Sequence, residues 1–386
     1  MKIGFFTDSF RPYTSGVVRS IETFTKELTE LGHSVYIFAP QYKGVKKEQG
    51  VFRYVSVPSP TNKGFSLAIP ISVNARSLIK KLGLDIIHVH SPFLMGRLGA
   101  KLALLENIPL IYTYHTLYDK YLHYIPFAPD LSGKLIQRLT AHFCNRCDLV
   151  VVPTKVVGEI IRYNGVNASI RDIPTGINLE GYETGNNCWL RDTYNIPPDQ
   201  QILLFVGRIG QEKNLIFLME SFLEILQVEP LLKMVLVGGG PFEQELKQAI
   251  KSLGLTKSVI FTGTLNREEV INCYLGADLF VFASTTETQG LVLGEAKAAG
   301  LPVVAVNAYG TSEMVTNNQS GFLTDLNKKE FAQQVLTLLE DKELYLRMSS
   351  QAKKEANLIS SRSCALELVR AYQDVISLKR QDVAGY

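Results

Sequence analysis

Short apolar runs rich in Val, Ile, Phe and Tyr alternate with stretches in which apolar side chains recur every three or four positions, and this rhythm continues along the whole chain. It predicts parallel strands covered on both faces by helices, the α/β class. In the first half the strand-like runs are KIGFFTDSF, HSVYIFAP, FRYVSVP, DIIHVHSP, PLIYTYH and DLVVVPT. In the second half they are ILLFVGRIG, KMVLVGGG, VIFTG, ADLFVFAS and PVVAV. After the turn Thr14-Ser15-Gly16 a first helix carries Val18, Ile21, Phe24, Leu28 and Leu31 on one face and stops at Gly32. Two doubly wound sheets in tandem, facing across a cleft, is the economical reading. Ligands of such sheets sit at the carboxyl ends of strands, so the cleft is the expected site.

The stretch from about 174 to 200, PTGINLEGYETGNNCWLRDTYNIPPDQ, is rich in Gly, Pro, Asn and Asp and has neither periodicity, which marks it as the linker. The expected domains are 1–174, 175–357, and a C-terminal helix over 358–386 that packs back towards the first domain. The tail beyond Lys342 is amphipathic and helical in pattern.

A length of 386 residues fits two domains, and the 40 basic against 37 acidic side chains give a net charge of only +3. That balance hides an asymmetry. Residues 1–174 hold 21 basic and 12 acidic side chains, or +9, leaving 19 and 25, or −6, for the rest. All six histidines also lie in the basic half. Five cysteines in so long a chain make no disulfide framework and suit reduced thiols in a cytosolic setting. The pair Cys144 and Cys147 reads as a helix end entering a strand. MKIGFFTDSF breaks its apolar run at Thr7 and Asp8, as a first strand and not a signal peptide does. No run reaches the ~18 apolar residues of a membrane span, so any meeting with a membrane is from its surface.

The most specific chemical signal is Glu287-Thr-Gln-Gly-Leu-Val-Leu-Gly-Glu295, after the strand LFVFAS and at the start of a helix. Thr288, Gln289 and Gly290 fall where a helix N-terminus leaves N–H groups unpaired, a natural phosphate seat. Glu287 precedes the helix and Glu295 lies about two turns inside it, so two acids serve different parts of one ligand. The plainer reading makes Glu287 a solvated cap and Glu295 a surface acid. Gly207-Arg208-Ile-Gly-Gln-Glu-Lys213-Asn214 is again a strand end before a helix, where Arg208 and Lys213 can converge on a diphosphate. A lone basic pair is more often a solvated face. Gly238-Gly239-Gly240-Pro241 is a close-approach turn without GxGxxG or Walker A spacing. Ser15-Gly16 can bring backbone amides to the same phosphate from the other domain. No D-x-D or H-E-x-x-H pattern offers a metal site, and the cations and helix amides are expected to neutralise the diphosphate without one.

These elements, in this order, resemble the GT-B retaining glycosyltransferases of glycosyltransferase family four. The resemblance runs from the Ser15-Gly16 loop through PTGIN, GRIGQEKN, the glycine turn and Gly263 to Leu265 to the Glu-x7-Glu element. It implies a nucleotide-sugar donor, with Gly207 in the donor loop, Arg208 and Lys213 on the diphosphate and Glu295 on the ribose hydroxyls. It further implies Leu265 on the base through its backbone, and Glu287 with the Gln289, Gly290 and Leu291 amides on the sugar and phosphate. His115 matches the family's position near the donor sugar. His115, Glu287, Arg208 and Lys213 are thus the expected catalytic set. Retention is usually explained by front-face attack. Double displacement is the competing idea, with Glu287 its only nominee.

The acceptor must be read from the first half. His115-Thr-Leu-Tyr118-Asp-Lys-Tyr121-Leu-His123-Tyr124 spaces three tyrosines by three beside histidines, which suits a lipid interface, although such stripes are more often core. FSLAIPISVNARSLIKKLG sets Arg76, Lys80 and Lys81 among Val73, Leu78, Ile79 and Leu82, a basic amphipathic pattern. The run HTLYDKYLHY also resembles the HTxYExYxHY signature of bacterial 1,2-diacylglycerol 3-glucosyltransferases of the monoglucosyldiacylglycerol synthase type, with Asp119 in place of Glu. That resemblance implies UDP-glucose, an α-glucosyl diacylglycerol product, no further cofactor, and a monotopic enzyme on the anionic inner face of the cell membrane. Within the class the alternatives are phosphatidylinositol with GDP-mannose, or a soluble sugar acceptor. A GT-B nucleotide-sugar epimerase leaves the aromatic and basic surface without a role. A nucleic-acid binder leaves the phosphate motifs idle, so no nucleic-acid partner is expected.

Overall fold

The computed structural model describes residues 1–59, 64–71, 74–120 and 133–384. They form two compact units, residues 1–176 with 361–386, and residues 177–360.

The first unit contains strands β1 (Lys2–Phe6), β2 (Ser34–Pro40), β3 (Val51–Tyr54), β4 (Ser56–Pro58), β5 (Ser66–Ala68), β6 (Ile86–Val89), β7 (Leu110–Thr113), β8 (Leu149–Val152) and β9 (Ile170–Asp172). Seven of these make one parallel sheet in the order β3-β2-β1-β6-β7-β8-β9, while β4 and β5 pair as a separate antiparallel ribbon. Every residue of β6, β7 and β8 is buried, as parallel strands covered on both faces require. Across β1, β2 and β3 an aromatic ladder forms, with Phe6 stacked on Phe38 at 4.3 Å and Phe38 on Phe52 at 5.0 Å. The first helix is Gly16–Glu30. Ser15 caps it by accepting from the Val18 N–H at 3.3 Å, its buried face carries Val18, Ile21, Phe24 and Leu28, and Gly32 ends it at φ +82°.

The second unit contains β10 (Ile202–Val206), β11 (Lys233–Val237), β12 (Val259–Gly263), β13 (Leu279–Phe282), β14 (Val303–Val306) and β15 (Gly321–Thr324), in the parallel order β12-β11-β10-β13-β14-β15. The strand order reverses between β10 and β13 here, and between β1 and β6 in the first unit. At such a switch point the loops leaving the strands part and open a crevice.

Several details differ from the pattern-based reading. FRYVSVP is split, because β3 stays in the main sheet while β4 leaves it to join the ribbon. The segment from 174 to 200 holds a short helix, Trp189–Tyr194, whose Leu190 is fully buried, too short to show a period. The strands β5, β9 and β15 have three or four residues each and did not stand out as apolar runs. The tail consists of two helices, Lys342–Leu358 in the second unit and Ser361–Ala384 in the first. The last helix is anchored in the first unit by buried Tyr372, by Lys379 to Asp148 at 3.0 Å and by Arg171 to Asp374 at 2.6 Å.

Candidate active site

The second unit's site lies at the carboxyl ends of β10 and β13, the two strands flanking its switch point. Beyond β10 the chain passes Gly207 and exposed Arg208, makes a short turn Gln211–Lys213, and enters the helix Leu215–Leu226 through Asn214 in the left-handed conformation at φ +54°. Beyond β13 it runs through Glu287 to Gly290, at φ +82°, and begins the helix Leu291–Ala299. Glu287 is fixed by its backbone, since its carbonyl accepts from Gly310 N at 2.9 Å. A Cβ on Gly310 would stand 2.2 Å from the Thr288 carbonyl oxygen, so only glycine lets the two loops meet.

Lys213 and Glu287 form an ion pair in which both side chains are largely buried, at 15% and 16% exposure. The Lys213 ammonium also lies 5.9 Å from the centre of the Phe282 ring. Glu287 therefore stands against a cation beside a helix N-terminus, which differs from the solvated cap that a loop acid suggests. The first-turn amides of Leu291–Ala299 have no acceptors within their own helix and favour negative charge. Gln289 is 4% exposed.

Glu295 is the fifth residue of its helix, one turn in and not two, because the helix starts at Leu291. It is buried and engaged at both oxygens: Arg267 donates to Oε1 at 2.6 Å and the Tyr274 hydroxyl to Oε2 at 3.1 Å. The Arg267 guanidinium also lies 5.6 Å from the Tyr182 ring centre. Glu295 is thus no surface acid. Sequence reading missed Arg267 and Tyr274; the one available signal was Asn266-Arg-Glu-Glu269, whose Asn266 and Glu269 make a capping box that fixes the helix Arg267–Gly276. Leu265, half-buried, immediately precedes that cap.

The glycine turn has a backbone cause. Gly207 N donates to Val237 O at 3.0 Å and Ile209 N to Gly239 O at 3.0 Å. At that approach a Cβ on Gly238 would fall 2.0 Å from Gly207 O, and one on Gly240 2.2 Å from Ile209 O.

In the first unit Ser15 and Gly16 open the first helix, and a Cβ on Gly16 would meet nothing within 4 Å. Three histidines stack in a column. His88 and His90 are 4.4 Å apart, His90 and His115 5.2 Å, and His90 Nδ1 lies 2.9 Å from His115 Nε2. His88 is held by the Tyr372 hydroxyl and by Thr113 Oγ1, each at 2.7 Å. Burial pushes the His88 and His115 imidazoles down to about 3 and His90 well below its usual value, so all three are neutral. Composition grouped the histidines in this half but gave no hint of the column. Asp8 was also missed: it is half-buried just beyond the first strand, and its Oδ1 accepts from Met95 N at 2.9 Å at the start of the helix Leu94–Glu106.

Of the aromatic run, Tyr121, His123 and Tyr124 lie outside the described residues. Tyr118 is half-buried, edge-on to Phe93 at 5.0 Å and to Tyr114 at 6.0 Å, so its ring belongs to the unit's interior and not to an exposed stripe. The basic helix is Ala75–Leu82, whose Ala75 and Ile79 are buried. Its apolar side serves the fold, and two of its cations are engaged: Arg76 and Lys80 both pair with Glu106, Lys80 at 3.6 Å. Lys81 is exposed. Cys144 and Cys147 are free and buried at the end of a helix and the turn after it, and burial raises both thiols. Among the described residues no three His, Cys, Asp or Glu side chains gather as a metal site, and no helix is long and apolar enough to cross a membrane.

The comparisons with known proteins bear on family and fold. Residues 190–355 match the family "Glycosyl transferases group 1", and residues 14–180 match "Glycosyltransferase Family 4". The chain is 35% identical over 330 residues to the alpha-monoglucosyldiacylglycerol synthase of Streptococcus pneumoniae, covering 84% of this chain and 75% of that one. To the synthase of the same name from Acholeplasma laidlawii it is 32% identical over 383 residues, 94% of this chain and 96% of that one. Its fold is that of Anabaena HepE, solved in complex with UDP, with a TM-score of 0.80 at 22% identity over 97% of this chain and all of the other. With doubly wound units, matches to both family models, and relatives above 30% identity along most of both chains, the protein belongs to the family 4 glycosyltransferases of the GT-B fold.

Proposed function

We propose that the protein transfers glucose from UDP-glucose to 1,2-diacylglycerol with retention, making an α-glucosyl diacylglycerol without a metal, as a monotopic enzyme on the inner face of the cell membrane. The observation that carries the donor half is the buried Lys213–Glu287 pair at the N-terminus of the helix Leu291–Ala299. A departing UDP develops negative charge on its diphosphate. Arg208, Lys213 and the helix amides are the groups proposed to receive that charge, Lys213 once the bound donor draws it from Glu287. The glucosyl carbon becomes cationic at the same moment, which a nearby carboxylate on Glu287 favours. Glu295, oriented by Arg267 and Tyr274, is the acceptor proposed for the ribose hydroxyls, and the Leu265 backbone for the base. In the first unit His115, kept neutral by burial, is the group proposed for the sugar's own hydroxyls.

The acceptor half is supported by the two synthases of that name and by HTLYDKYLHY. The basic balance of residues 1–174 suits an anionic membrane surface. The test offers UDP-glucose to the purified protein with mixed micelles of diacylglycerol and an anionic lipid, with and without EDTA, and reads the product's anomeric coupling by NMR. An EDTA-insensitive α-glucosyl diacylglycerol is expected. UDP release without a lipid product would remove the acceptor from the proposal, a β product would remove retention, and no UDP release would remove the donor.

A further inference from the structure

We propose that the outer face of the β4–β5 ribbon, with the exposed cations that flank it, is the surface by which this protein docks onto an anionic lipid bilayer; the proposal rests on the lipid-acceptor reading above. In this antiparallel pair Ser56 lies opposite Ala68 and Val57 opposite Leu67. Cross-strand partners share a face, so the ribbon has two distinct sides. Its inner side is tied to the body of the unit, since Ser56 Oγ donates to the Gln41 carbonyl and Ala68 is 2% exposed. The outer side is apolar except at Ser59, opposite Phe65. It carries Val57 and Leu67, then Val55 beside Ile69, whose N–H donates to Val55 O at 2.7 Å, and Ile71 follows on the same alternation. Val55 is 72% exposed, Val57 48%, Ile69 38% and Ile71 81%. An antiparallel ribbon with one face in water normally places polar residues there, so this face is built for another medium.

The surrounding charge says which medium. Residues 41–83 hold eight Lys and Arg against one acid, Glu48; Arg53 is paired with that acid, and Arg76 and Lys80 with Glu106. Lys43, Lys46 and Lys47 are exposed on the loop that begins at Gln41, the residue that accepts from the ribbon's Ser56. Exposed Lys81 ends the helix that follows. An exposed apolar face on a unit that also exposes Lys43, Lys46, Lys47 and Lys81 matches acyl chains beneath anionic headgroups, whereas a second copy of this chain would bring the same cations into the interface.

The experiment measures cosedimentation of the full chain with phosphatidylglycerol and with phosphatidylcholine vesicles at rising salt. Wild type is expected to prefer the anionic vesicles and to release at high salt. The double variant Val57→Asp, Ile69→Asp is expected to lose at least about ten-fold in partitioning, with thermal stability and glucosyl transfer in detergent micelles retained. Ile71→Trp in a Trp189→Phe background should shift its fluorescence to the blue on adding anionic vesicles. Unchanged vesicle binding by the double variant, no shift from the tryptophan, or a wild-type dimer that the double variant dissolves while vesicle binding persists would each overturn the proposal. If no lipid product forms in micelles but the vesicle results are as stated, the docking surface stands and the acceptor reading falls. If lipid product forms and the double variant binds as wild type does, the reverse holds.

Discussion

His90 Nδ1 lies 2.9 Å from His115 Nε2, and His90 Nε2 is buried with no hydrogen-bond partner among the described residues. Orphaned buried N–H groups are rare in folded proteins, so the proton of His90 belongs on Nδ1, where it is donated to His115. His115 then accepts at Nε2 and carries its own proton on Nδ1. His90 is in this sense a positioning residue, fixing both the tautomer and the ring plane of His115. Long-range proton–nitrogen NMR should show His115 Nε2 unprotonated. His90→Phe keeps a stacked ring but no donor, and should lower kcat by on the order of 10- to 100-fold with little change in KM for the donor. His90→Asn, whose amide can occupy the Nδ1 position, should recover much of the loss. An Nε2–H on His115, or an unaltered kcat in His90→Phe, would sink the assignment.

The same column makes the protein sensitive to acid. The folded state holds His88, His90 and His115 below the usual histidine value of 6.5, so below that value the unfolded chain binds protons that the folded one does not, down to about 3 for His88 and His115. Their contribution is fully present above about 6.5 and is lost as pH falls through that window, by as much as about 1 kcal/mol per pH unit for each imidazole. Thermal melts from pH 7.5 to 4.5 should therefore show a falling Tm. The slope should flatten in His88→Phe, whatever that variant's Tm at neutral pH. A Tm that holds steady down to pH 5 would contradict the buried neutral column.

The two-sheet architecture was readable because β1, β6, β8, β10, β11 and β13 are near-continuous apolar runs, the signature of strands buried on both faces. The Glu287 and Lys213 elements were readable because strand ends, glycines and helix starts are local in sequence. What joins them was not. The Lys213–Glu287 pair spans 74 residues, and the Arg267–Glu295 pair 28. The histidine column depends on β6 lying beside β7, a fact of sheet order and not of spacing. The basic amphipathic pattern at Arg76 to Leu82 was legible only as a helix for a related reason. Periodicity shows that a helix has an apolar side but not whether that side meets lipid or its own protein, and here Ile79 meets the protein. The exposed apolar ribbon escaped notice because a five-residue alternation in a Pro-flanked segment resembles any short strand.

Two glycines near the donor loop, both at positive φ, differ in whether a steric clash adds to the conformational cost. At Gly238 an added Cβ would sit 2.0 Å from the Gly207 carbonyl oxygen, which the sheet cannot move without breaking the bonds joining Gly207 to Val237 and Ile209 to Gly239. At Gly263 the Cβ meets nothing within 4 Å, and the cost is only that of an L-residue at φ +73°. Gly263→Ala should thus destabilise by about 1 kcal/mol in urea melts. Gly238→Ala should cost clearly more, about 3 kcal/mol, and should abolish UDP binding even where the protein folds. Equal effects of the two substitutions would mean that the close approach is softer than its geometry states.

Lys213 cannot serve Glu287 and a diphosphate equally, and the direction of that competition is measurable. Both side chains are largely buried, so their attraction is weakly screened. If UDP draws Lys213 towards its phosphates, Glu287 opposes donor binding in the free enzyme and becomes available to the cationic sugar carbon only as the donor arrives. Glu287→Gln should then tighten UDP by about five-fold, or ~1 kcal/mol, while nearly abolishing turnover. Lys213→Met should weaken UDP by about 100-fold, since it removes the cation and leaves the Glu287 carboxylate unpaired beside the phosphate site. The double variant Lys213→Met, Glu287→Gln should bind UDP better than Lys213→Met alone, because the unpaired carboxylate is gone. Calorimetric titration of UDP into the four proteins gives the coupling directly. Equal weakening in both single variants, with additive loss in the double, would mean that the pair acts on the donor as one unit and that Lys213 never leaves Glu287.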